Sequence, residues 1–244
     1  MLLALAPATA RAQTDEIQVY DAAIADPGQL TLTLHANYTP AGRTSPDFAG
    51  GVVTNRTLNG VTEWAYGMTD WWELGAYAPF VLTLDGSGRA AIDGAKLRSL
   101  FVSPHAADRP LFFGLNFELS YNRPQWALHT WELEVRPILG AHWRGWQLVL
   151  NPIFDLPLAH APPDFAPCVR LAYAPSKQWA AGVELYQDFG PTDHLASLEH
   201  QQQEVFLVVD RSTEHLDLEV GIGWGLTRLG SDPLVLKMIL VPTG

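Results

Sequence analysis

Leu111-Phe112-Phe113-Gly114-Leu115-Asn116-Phe117-Glu118-Leu119-Ser120-Tyr121 places Leu111, Phe113, Leu115, Phe117, Leu119 and Tyr121 on alternate positions, with Gly114, Asn116, Glu118 and Ser120 between them. Successive side chains of an extended chain point to opposite faces, so this stretch reads as a β-strand with one apolar and one polar face. The polar face carries a full charge. An eleven-residue strand is also longer than the usual strand of about five or six residues.

The same pattern recurs on both sides. Leu30, Leu32, Leu34, Ala36 and Tyr38 alternate with Thr31, Thr33, His35 and Asn37; Trp131, Leu133 and Val135 alternate with Glu132, Glu134 and Arg136; Leu216, Leu218, Val220, Ile222 and Trp224 oppose Asp217, Glu219 and three glycines. The periodicity predicts twelve strands, at 28–38, 57–66, 71–82, 92–102, 110–121, 129–141, 146–156, 165–173, 179–186, 203–210, 216–226 and 233–241. Connections at 67–70, 142–145, 174–178 and 211–215 are short, 103–109 is somewhat longer, and those at 39–56, 83–91, 122–128, 157–164, 187–202 and 227–232 are generally longer and richer in Pro, Gly, Asp and Asn. An even number of long amphipathic strands, joined by short turns at one end and longer loops at the other, predicts an all-β fold: a single antiparallel transmembrane β-barrel of about twelve strands over 28–241. Aromatics near strand ends (Tyr38, Tyr66, Trp71, Trp72, Tyr121, Trp126, Trp143, Trp146, Tyr173, Trp179 and Tyr186) suit the headgroup level of a membrane. The competing reading, a soluble sandwich or lipocalin-like barrel, would turn the apolar stripe inward and leave the charges outside.

Composition agrees. Hydrophobic residues make up 48% of the 244, yet no run approaches the roughly 18 apolar residues of a spanning helix, and charged residues are only 17%. Residues 1–12 form an apolar run ending Ala10-Arg11-Ala12, a small-x-small pattern read as a cleaved signal peptide, with the missing positive segment expected upstream of Met1. Residues 13–27 follow as a periplasmic segment, which places the chain in the outer membrane of a Gram-negative bacterium. Expected partners are therefore outer-membrane lipid, the barrel-assembly machinery and small solutes. A formal charge of −11 argues against nucleic acid. The single Cys168 can form no internal disulfide and reads as a small packed side chain.

With the apolar face toward lipid, parity turns Glu63, Glu73, Lys96, Arg98, Glu118, Glu132, Glu134, Arg136, Asp155, Arg170, Glu184, Asp217, Glu219 and Lys237 into the lumen. Nine acids face five bases, which favours paths for cations or neutral solutes over paths for anions. The expected function is a passive channel or transporter-like pore for small solutes, without cofactor or metal. Two alternatives stand beside it: a closed structural or surface-binding barrel, and a membrane-embedded lipid hydrolase. For the hydrolase the nearest candidates are Ser99, Ser120 and His129, which parity divides between the two faces, so the sequence points away from an enzyme. His194, Glu199 and His200 lie in 187–202, a candidate lid, but lack the third spaced ligand of a metal site. Gly221-Ile222-Gly223-Trp224-Gly225 sits inside a strand pattern, where close packing rather than phosphate binding is expected.

Glu16-Ile17-Gln18-Val19-Tyr20-Asp21, Pro27-Gly28-Gln29, Leu34-His35-Ala36-Asn37-Tyr38, Glu63-Trp64-Ala65-Tyr66-Gly67, Asp70-Trp71-Trp72-Glu73 and Asn116–Tyr121 resemble an uncharacterised family of bacterial outer-membrane β-barrels labelled transporter-like. The resemblance implies fold and location over most of the chain, and no site residue. Many such barrels end on an aromatic residue, whereas this sequence ends Leu240-Val241-Pro242-Thr243-Gly244. A short tail after 233–241 would reconcile the two.

Overall fold

The structure, a computed structural model, describes residues 16–84 and 90–243. The expected signal peptide at 1–12 lies outside the described residues. Twelve strands form one closed antiparallel barrel: β1 (Leu30–Ala41), β2 (Thr57–Gly67), β3 (Trp72–Thr83), β4 (Ala90–Ile92 and Gly94–Val102), β5 (Leu111–Asn122), β6 (Trp131–Trp143), β7 (Trp146–Asn151 and Phe154–Pro157), β8 (Asp164–Phe165 and Cys168–Ser176), β9 (Trp179–Asp188), β10 (Gln202–Ser212), β11 (Leu216–Gly225) and β12 (Leu234–Pro242). A short 3-10 turn, Ala106–Asp108, sits between β4 and β5. The breaks in β7 and β8 fall at Pro152 and Pro167, which have no N–H to give a ladder.

Each strand pairs with its neighbour in sequence, and β12 closes onto β1 with Leu34 opposite Leu240 and Asn37 opposite Lys237. The last strand therefore pairs on both sides. Closure leaves no edge, so every long strand is hydrogen-bonded along both flanks.

Burial is inverted relative to a soluble barrel. Leu111 is 73% and Phe113 64% exposed on the outer face, whereas the inward Asn116 and Arg136 are 0% and 1% exposed. An apolar surface facing outward and ions facing inward are stable together when the outer medium is hydrocarbon. Aromatic clusters frame that surface. Trp71, Trp72 and Phe101 stack at the short-turn end with ring separations of 6.1 to 6.4 Å, and Trp146 meets Tyr173 there in a tilted contact at 5.0 Å. Tyr121 against Trp131, and Phe165 between Phe154 and Phe189, mark the long-loop end. Tyr186 departs from the expected girdle: it points inward and its hydroxyl donates to Glu184 Oε2 at 2.8 Å.

The interior is not purely polar. Phe112, Ile138, Val149, Phe206 and Val208 also face inward, and they pack with Ile17, Val19, Tyr20 and Ala22 as one cluster. Two glycines make room for the rings. A Cβ on Gly140 would lie 1.9 Å from the Phe112 ring, and one on Gly223 would lie 2.3 Å from the Phe206 ring, so the glycine-rich stretch of β11 serves close packing.

Candidate functional site

Alternation places a band of charge around the inner wall, where an unpaired ion would cost several kcal/mol. Arg98 on β4 reaches Glu63 on β2 at 2.6 Å and also meets Glu73 on β3. His35 Nε2 lies 3.3 Å from Glu63 Oε2. Across the lumen, Arg170 binds Glu184 at 2.5 Å, Glu219 at 2.6 Å and Asp210, and Lys237 shares Glu184 and Glu219, the latter at 2.6 Å. Arg136 grips Glu134 with both prongs, Nε to Oε1 at 2.7 Å and Nη2 to Oε2 at 2.8 Å. Lys96 meets Glu118 at 3.2 Å, while Glu132 accepts from Asn122 Nδ2 at 2.7 Å. Asp217 lines a recess near the short-turn end.

Between these walls lies a segment of the chain itself. The sequence sets 13–27 apart as a periplasmic segment, yet 16–25 is packed inside the barrel, with Glu16 only 2% exposed. From Pro27, bridged to Gly67 at the short-turn end, the backbone rises until the Ile17 carbonyl accepts from Lys237 Nζ at 3.2 Å. Lys237 pairs with Asn37, seven residues past the start of β1, so the segment reaches well into the lumen.

The wall satisfies this irregular backbone, as burial demands. The Asn151 amide accepts from Tyr20 N at 2.7 Å and donates to Tyr20 O at 2.9 Å. Arg136 Nη1 donates to Gln18 O at 3.3 Å, and Ala25 N donates to Glu73 Oε2 at 2.5 Å. Tyr20 is the centre of the contact. Its ring lies 4.0 Å from the Arg136 guanidinium and 5.4 Å from that of Arg98, and its hydroxyl is 3.0 Å from that of Tyr77.

At the short-turn end the segment leaves recesses on its two flanks. One of roughly 470 Å³ is lined by Thr31, Glu63, Glu73, Arg98 and Asp217, and one of roughly 590 Å³ by Asp70, His105, Asp108, His142 and Gln147. Farther in, the space beside Ile17, Tyr186, Asp188 and Glu204 is roughly 20 Å³, about the room for one water. At the long-loop end, loop 42–56 bridges two other loops: Arg43 N and Thr54 Oγ1 bind Asp232 Oδ1 at 2.8 and 2.6 Å, and Val52 N binds Gln125 O at 2.8 Å. The loop that spans between others is thus 42–56. His194, Glu199 and His200, in the expected lid, are solvent-exposed.

The parity-derived residues fall on the inner wall, where most join the pairs above. Parity leaves out the inward Glu204 and Asp210, the carboxylates Asp164 and Asp188 at strand ends, and the whole N-terminal segment. Cys168 is buried with its thiol 3.7 Å from Asn151 Oδ1. The hydrolase candidates do not assemble: Ser99 Oγ receives the indole N–H of outward Trp72 at 3.0 Å, Ser120 lies beside Glu118 inside, and His129 belongs to loop 123–130. No group of three metal-ligating side chains occurs among the described residues.

No family model and no curated protein matches the chain. Solved structures do. The COG4313 outer-membrane channel from Pseudomonas putida F1 superposes with a TM-score of 0.64 over 93% of this chain and 99% of that one, at 14% identity. The KdgM porin gives 0.58 over 88% and 99% at 9% identity, and the NanC porin 0.56 over 87% and 99% at 9% identity. The fold of this chain is that of outer-membrane channel barrels.

Proposed function

We propose that this protein is an outer-membrane channel for small solutes, held closed by its own N-terminal segment. The observation that carries the reading is the way that segment is bound. Tyr20 is held by Tyr77, Arg98, Arg136 and Asn151 from strands β3, β4, β6 and β7, while recesses flank it on the short-turn side. A barrel serving only as a scaffold needs no such recesses, and its interior could be filled by wall side chains alone. The outward apolar band, the aromatic clusters and the likeness to channel and porin folds support the outer-membrane location.

The chemistry of such a protein is selection rather than catalysis. Inward charges set which solutes enter, and the segment sets when they pass. Proteoliposome flux tests the reading. Liposomes carrying the protein with Tyr20 and Arg136 both replaced by Ala should pass small neutral and cationic solutes faster than liposomes carrying the unaltered chain. Equal, background-level flux from both folded proteins would favour the closed structural barrel instead.

A further inference from the structure

Elsewhere the lumen matches Glu63, Glu73, Glu184 and Glu219 to Arg98, Arg170 and Lys237. The wall of β5 to β8 nearer the long loops does not. Glu118 lies opposite Glu134, Glu134 opposite Asp155, and Asp155 opposite Asp164, a row of four inward carboxylates on four consecutive strands. Like charges directly opposite one another destabilise a sheet, so a continuous row of them is not a packing solution.

Arg136 is committed to Glu134, and Lys96 to Glu118. Asp155 and Asp164 are both more than nine-tenths buried, and Asp155 Oδ2 and Asp164 Oδ1 accept no hydrogen bond from any described residue. The Asp155 carboxylate faces the charges of Glu134, Glu132 and Asp188 and, more weakly, the cation of Arg136; that of Asp164 faces Asp188 and Glu132. From a different element, Glu16 of the N-terminal segment brings another buried oxygen, Oε1, without a partner among the described residues, and its charge acts on Glu118. These orphaned acceptors point inward at a place where the chain supplies too few donors.

We infer that this row is a binding site for an organic polycation of the linear polyamine class, entering from the long-loop end. Strands lie ~4.8 Å apart, so the row extends the carboxylates over about 14 Å. That spread suits several ammonium groups set apart by methylene spacers, each with donors for a separate carboxylate. It does not suit one chelated metal ion, and no three ligating side chains converge among the described residues. The inference deepens the channel reading by naming a solute class, and rests on that reading for its purpose.

The test is calorimetric titration of the purified full chain in detergent with spermidine, at fixed ionic strength. Saturable binding is expected, weakened at least tenfold in the Asp155→Asn, Asp164→Asn double variant and unchanged in Asp217→Asn. In the unaltered protein, Mg²⁺ at matched ionic strength should not displace spermidine. This second measurement decides the matter should the double variant fail to fold. Absence of saturable binding, equal binding to the folded double variant, or displacement by Mg²⁺ to the extent expected of charge screening alone would each overturn the site. Binding is read without conductance. A barrel that binds spermidine but never conducts overturns the channel reading alone, and one that conducts without binding overturns this inference alone.

Discussion

The guanidinium of Arg136 lies 4.0 Å from the ring of Tyr20 while its nitrogens hold Glu134 in a bidentate pair. One wall residue thus couples the charge network of the barrel to the segment inside it. Arg136→Ala removes the stack and strips buried Glu134 of its cation, so a loss of about 3 to 5 kcal/mol is expected in denaturant unfolding from vesicles. Arg136→Lys should fall between, because an ammonium keeps the charge but not the planar fork. Equal stability of all three proteins would show that the contact is incidental.

Orientation of the two faces can be tested by charge. Leu97 sits in mid-strand on the outer face, exposed and flanked by Ala76 and Leu119. Leu97→Arg should cost about 2 to 4 kcal/mol when the barrel folds into bilayers, the range for a cation at the membrane midplane. A cost below about 0.5 kcal/mol, as on a water-exposed surface, would contradict a lipid-facing position.

Packing inside the lumen gives a third expectation. Gly140→Ala drives a methyl group into the Phe112 ring, which the structure places 1.9 Å from the new Cβ. About 1 to 3 kcal/mol should be lost in the same unfolding assay, and Phe112→Leu added to Gly140→Ala should recover part of it. Additive losses in the double variant would mean that the two positions do not meet.

Charge should also show in selectivity. With the segment displaced, the remaining lumen carries more acids than bases, so reversal potentials in a salt gradient should report cation preference. Glu132→Gln should reduce it, since among the described residues Glu132 is hydrogen-bonded to neutral Asn122 and only Lys96 acts on it as a cation. Anion preference, or a Glu132→Gln channel of unaltered selectivity, would contradict the assignment of this wall.

Much of the barrel was legible because its pattern is local. Alternation in Leu111–Tyr121 or Leu216–Trp224 fixes which side chains share a face whatever lies opposite, and long and short connections order the strands. Strand ends were less certain: β6 runs Trp131–Trp143 where periodicity placed 129–141. The place of the N-terminal segment inside the barrel was not legible, because its defining contacts are remote, Tyr20 meeting Asn151 across 131 residues of sequence. A signal was nevertheless present. Leu111-Phe112-Phe113, Leu148-Val149-Leu150 and Leu207-Val208-Val209 break the alternation with an apolar residue on the water side, and Phe112, Val149 and Val208 all pack in the cluster that holds Ile17, Val19 and Tyr20. An apolar inward position in an otherwise polar lumen needs something apolar to cover it. The carboxylate row was half visible, since parity gave Glu118, Glu134 and Asp155 but not that they share one cross-strand line, which is set by register.

The most direct measurement is single-channel recording in planar bilayers of the full chain beside the same chain lacking residues 16–26, with heat-modifiable gel migration confirming that both are folded. The account predicts a full-length barrel that is silent or opens only briefly, and a shortened one with steady conductance. A shortened barrel that is folded yet silent, or a full-length barrel that conducts just as steadily, would contradict closure of the lumen by its own N-terminal segment.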